Sequence, residues 1–125
     1  MKSNRPIDLP LSQVISVNRS PIAIASILHR ISGIILFLLI PVMLWLLQNS
    51  LASPESFETV FDNVLVRFIA WIFVASIAYH FVMGIKHLIA DMGKTEELKS
   101  GRTAAMVSFV ISAILIVASF VWVMF

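Results

Sequence analysis

The sequence predicts an all-α integral membrane protein with three transmembrane helices. Two features of its 125 residues carry that reading: 59% are hydrophobic against 13% charged, and the apolar residues fall into three long runs separated by polar turns. Soluble domains usually hold about 25% charged residues. The runs, at residues 22–47, 65–90 and 104–125, each exceed or match the roughly 20 residues that a helix needs to cross about 30 Å of hydrocarbon. Residues 1–20 are expected to form a polar N-terminal arm, and residues 21–125 a single membrane unit.

Basic residues set the orientation. The arm holds Lys2, Arg5 and Arg19, and the second loop holds Lys94, Lys99 and Arg102. The first loop holds Glu55, Glu58 and Asp62, with Arg67 at its far edge. By the positive-inside rule the arm and second loop are cytoplasmic, and an odd number of spans places Phe125 on the periplasmic side. The net charge of +2 belongs to this asymmetry, and no nucleic-acid partner is expected. The first run follows about twenty polar-leaning residues and is too long for a signal-peptide core. The arm also lacks the Arg/Ser-rich amphipathic character of a transit peptide, so a bacterial cytoplasmic membrane is expected. With no cysteine, the chain cannot form disulfides or hold a thiolate-ligated haem or iron–sulfur cluster by itself.

Taken in order, the arm with Pro6 and Pro10 is expected to be extended, lying against the membrane face or a partner. Ser20-Pro21 opens the first span, since Ser caps a helix N-terminus well and Pro suits the first helical position. Ser26, His29 and Arg30 follow within three turns. Ser26 and Arg30 are i, i+4 and share a strip with Gly33, while His29 is turned about 100° from Arg30. A hydroxyl and a guanidinium on one strip near the cytoplasmic boundary suit a polar head group with an apolar tail, such as a quinone, or the propionates of a haem. The competing reading is an interfacial Arg-His pair facing phospholipid phosphates. Pro41 is expected to interrupt the first helix, with a kink. The first loop has room for a short interfacial helix capped by Ser53-Pro54.

The second span carries Trp71, Tyr79 and then HFVMGIKHLIADMG at 80–93. His80, Gly84 and His87 are spaced i, i+4 and i+7, an arc of roughly 60° extending about 10 Å along the helix. Gly84 leaves a gap between the imidazoles that a flat macrocycle could approach, and His80 could ligate its iron. His80 stands about eleven residues inside an apolar run, where an ionisable group is costly and usually functional. Lys86 and His87, nearer the helix end, also suit snorkelling to headgroups. Gly93 fits the position just past the helix end, and GKTEELKSG at 93–101 reads as a solvated turn. In the third span Ser108, Ser112 and Ser119 suit close packing and Trp122 suits an interface anchor.

SILHRISG at 26–33 and HFVMGIKHLIADMG at 80–93, with Arg5-Pro6 in the arm and three spans, resemble the cytochrome b anchor subunits of succinate dehydrogenase, over nearly the whole chain. That resemblance implies one subunit of a hetero-oligomeric anchor bundle binding haem b. His80 would be an axial ligand of the haem iron, and a second membrane anchor would supply the other histidine. It implies Ser26 and Arg30 at a ubiquinone site, with His29, Arg30 and His87 near the haem propionates. It also implies an iron–sulfur subunit and a flavoprotein as partners; the flavoprotein oxidises succinate, a step this chain does not perform. Lys86 and Ala90 differ from the family, which usually has Arg and a larger side chain there. Two alternatives stand beside this: a fumarate reductase anchor working in reverse with menaquinol, and a cofactor-free transporter or scaffold subunit.

Overall fold

The computed structural model describes residues 11–17, 19–94 and 97–125. Five helices follow in order: α1 (Leu11–Val17), α2 (Pro21–Ser50), α3 (Pro54–Asp62), α4 (Val64–Asp91) and α5 (Leu98–Met124). Three of them, α2, α4 and α5, are long and apolar enough to cross a membrane. At 1.5 Å per residue each reaches about 40–45 Å, so their ends extend past the hydrocarbon into the headgroup zone.

Capping chemistry fixes the helix ends. The Ser20 hydroxyl accepts the Ala23 amide at 3.2 Å, and Pro21 occupies the first turn of α2. The Ser53 hydroxyl accepts the Ser56 amide at 3.0 Å at the start of α3. Asn63 ends α3 and caps α4 by accepting the Leu65 amide at 2.9 Å. At the far end of α4, Gly93 has φ of 82°, a conformation that costs glycine little and other residues more. There the Gly93 amide bonds to Ala90 O at 2.9 Å and the Lys94 amide to Ile89 O at 3.4 Å, the paired closure of a Schellman motif.

Three expectations change. Part of the arm is helical, because α1 covers Leu11–Val17 directly after Pro10. Helix α5 begins at Leu98 and contains the stretch expected as the third span, so Leu98 to Gly101 leave the turn and join the helix, with Gly101 buried. Helix α2 runs through Pro41 without interruption. Arg5, Pro6 and Lys2 lie outside the described residues.

Helix α4 is central, packing against α5 along one side and α2 along another, while α3 rests against α2 and α4. Small side chains make the close approaches: Ala70 and Ser76 on α4, and Ala105, Ser108 and Ser112 on α5, are all buried. In a membrane such residues let backbones approach, where an apolar side chain would gain little over lipid. The buried cluster is Ala25, Tyr79, Met83 and Ala105, one contribution or more from each long helix. Two hydrogen bonds fix the helices against each other: Tyr79 Oη donates to Ala25 O at 3.1 Å, and Trp71 Nε1 donates to Ile116 O at 3.2 Å. Large apolar side chains, Phe37, Trp45, Phe81 and Trp122 among them, stand exposed around the bundle. Such a surface suits lipid or partner helices.

Candidate functional site

The α2–α4 contact gathers the histidines. On α2, Ala25, His29 and Ser32 are spaced i, i+4 and i+7, the same spacing as His80, Gly84 and His87 on α4. The two arcs meet. The His29 and His80 rings stack at 4.0 Å between centroids, with planes 14° apart, and His87 meets His29 edge-on at 5.1 Å. His29 therefore stands over Gly84 and fills the gap that was expected to admit a flat macrocycle, because the facing of α2 turns this ring onto α4. On α2, Gly33 admits His80, since a Cβ built at 33 would lie 3.2 Å from the His80 Cε1. Any larger residue at 33 would force that ring to move.

The hydrogen bonds around His80 define its tautomer. Ser32 Oγ donates its proton to His29 O at 2.7 Å. Its remaining lone pairs face His80 Nδ1 at 2.9 Å, and His29 O is 3.2 Å from the same nitrogen. Both neighbours of Nδ1 are thus acceptors, and the proton belongs on Nδ1. In the neutral ring this leaves the lone pair on Nε2, and among the described residues no group hydrogen-bonds to that nitrogen. The imidazole is half-buried and held in the form that can bind a metal. His29 Nε2, in contrast, is enclosed and has no hydrogen-bond partner among the described residues. A buried polar atom of this kind marks a place where a further polar group belongs.

Of the residues singled out in the sequence, His29, His80 and His87 come together. Ser26 and Arg30 lie at the same end of α2, one turn apart, Ser26 half-buried and Arg30 exposed. Neither makes a side-chain hydrogen bond among the described residues. Gly33, placed on their strip by spacing, serves His80 instead. Lys86 departs from the expected surface position. It is 6% exposed and turned toward α5, where it lines a cleft of about 750 Å³ with Glu97, Thr103 and Ser108. Ser32 was not legible as a site residue, although its place one turn beyond His29 on the inward arc is the signal that could have found it.

Three helices able to cross a membrane, with a histidine cluster between two of them, define an integral membrane protein whose ionisable groups are gathered between its spans. The chain belongs to the succinate dehydrogenase/fumarate reductase transmembrane subunit family, whose model matches residues 1–119. It is 39% identical over 127 residues to the succinate dehydrogenase cytochrome b556 subunit of Coxiella burnetii (strain RSA 493 / Nine Mile phase I), covering 98% of this chain and 99% of that protein. A protein of the same name from Paracoccus denitrificans is 30% identical over 122 residues, covering 90% of this chain and 93% of that one. The chain is thus a multi-pass membrane anchor of the complex II type.

Proposed function

We propose that the chain binds haem b through His80 and helps form the ubiquinone-reduction site of a succinate dehydrogenase in a bacterial cytoplasmic membrane. The observation that carries this is the His80 imidazole, its Nδ1 held by two acceptors and its Nε2 left for a metal. The relatives' name, cytochrome b556, supports the same cofactor. The donor set fits: a half-buried imidazole is a usual protein ligand of haem iron, and the buried His29 Nε2 has no hydrogen-bond partner among the described residues. Haem bound here supplies a one-electron carrier. A second membrane anchor would supply the other histidine that holds the haem.

His29, Arg30 and His87 meet the propionates, Arg30 by charge and the histidines by ring N–H. Ser26 and Arg30 hold the quinone head group, the guanidinium stabilising negative charge that reaches the head group on reduction. Electrons arrive from a flavoprotein through an iron–sulfur subunit docked on the cytoplasmic face, since this chain has no cysteine with which to hold a cluster. The family assignment favours an anchor over a cofactor-free transporter or scaffold. Purification through a tag on this chain, in mild detergent, is expected to give succinate–ubiquinone reductase activity. A chain that purifies intact without succinate oxidation contradicts the reading, and menaquinol–fumarate activity in excess would favour the reverse reaction.

Orientation has its own test. The exposed Lys94, Lys99 and Arg102 lie between α4 and α5 or in the first two turns of α5, and Glu55, Glu58 and Asp62 lie on α3 at the other side. A reporter active only in the periplasm is expected to work when fused after Phe125. Activity of a cytoplasm-only reporter there would reverse the assignment.

A further inference from the structure

We propose that Ser32 is the positioning residue of the His80 imidazole and, through it, sets the redox potential of the iron that His80 binds. The inference rests on the reading of His80 as the axial ligand. Ser32 is 5% exposed on the face of α2 that meets α4. Its one proton is committed to His29 O at 2.7 Å, the backbone carbonyl three residues back. That commitment fixes the hydroxyl rotor, so that a lone pair faces His80 Nδ1 at 2.9 Å. The only other described acceptor near that nitrogen, His29 O, is farther at 3.2 Å. Gly33 completes the arrangement by leaving the space in which the ring lies flat against α2.

Two consequences follow from this geometry. The bond holds the tautomer and the ring plane, and it makes the imidazole more electron-donating at Nε2. A more basic ligand favours the ferric over the ferrous ion, because the higher charge gains more from it. Ser32 therefore keeps the potential lower than it would be with the carbonyl alone. The site is buried, so water does not readily replace the lost acceptor.

The test uses the assembled complex carrying Ser32→Ala, Ser32→Cys or Ser32→Thr, with His80→Ala made in parallel. Redox titration of the haem and low-temperature EPR of its ferric form are the readouts. Ser32→Ala is expected to retain haem, to raise the midpoint potential and to broaden or move the ferric EPR signal. A tenfold loss of ferric preference, the low end of the effects that outer hydrogen bonds have on metal affinity, reads as about 59 mV in a one-electron couple. Ser32→Cys fills the same space with a weaker acceptor and is expected to shift the same way, which keeps the test intact if the alanine variant fails to assemble. Ser32→Thr keeps the hydroxyl and is expected to keep the wild-type potential. Wild-type potential and EPR in both the Ala and Cys variants, with haem lost from His80→Ala, would overturn the role of Ser32 alone. Haem retained with an unchanged spectrum in His80→Ala would overturn the ligand reading and this inference together.

Discussion

Replacing His80 with alanine is expected to remove haem from the complex or to weaken its binding severely. The variant deletes the one imidazole whose Nδ1 is held by two acceptors while Nε2 keeps a free lone pair. Losses elsewhere should be small. Ser32 still donates to His29 O at 2.7 Å, so no buried donor is orphaned, and Tyr79 still ties α4 to α2 through Ala25 O. Full haem occupancy with a wild-type spectrum in an assembled His80→Ala complex would remove His80 from the iron. His87→Ala is expected to do less, shifting the haem potential while haem remains, because that ring touches the cluster only edge-on through His29. An unshifted potential would leave His87 as a headgroup-facing residue.

The second large effect is expected at the quinone. Arg30→Leu and Ser26→Ala should lower succinate–ubiquinone reductase activity, while succinate oxidation by a dye that accepts electrons from the peripheral subunits continues. Both residues lie at the end of α2 that carries the proposed cytoplasmic face, where an iron–sulfur partner must dock. Arg30 is exposed, Ser26 is half-buried, and neither has a side-chain partner among the described residues, so both remain available to a ligand. A hydrogen bond to a charged group contributes about 1.5–3 kcal/mol and a neutral one about 0.5–1.5. The Arg change should therefore cost roughly ten- to a hundredfold and the Ser change roughly two- to tenfold. Membrane-bound dye activity checks assembly in each variant. Wild-type quinone reduction in both assembled variants would show these residues to be interfacial only.

Features decided within one helix were legible in the sequence. Ser20-Pro21 and Ser53-Pro54 start helices, and Gly93 ends one in a left-handed conformation, because capping depends on a few adjacent residues. His80 stood out by its depth in an apolar run, where the bilayer itself makes an ionisable group conspicuous, and it lies against His29 and Ser32. Features that depend on how two helices rotate against each other were not. Spacing on α4 marked the gap at Gly84, but that His29 stands over it follows from the facing of α2. Ser32 looked like any membrane serine bonded to its own helix, and only the α2–α4 contact adds His80 as its second partner. Lys86, five residues before the end of α4 at Asp91, suited snorkelling, yet it is buried and lines a cleft against α5. Hydropathy marks an apolar run from 104, whereas helix α5 extends back to Leu98 through polar sequence that hydropathy does not register.

The most direct measurement of the central claim is the reduced-minus-oxidised absorption spectrum of the complex purified through this chain, recorded with succinate and then with dithionite. Absorption bands of a low-spin b-type haem should appear with succinate and complete with dithionite, and they should be absent from the His80→Ala complex. A purified, assembled complex that oxidises succinate but shows no haem bands after dithionite would contradict the claim that this chain is a haem-binding anchor.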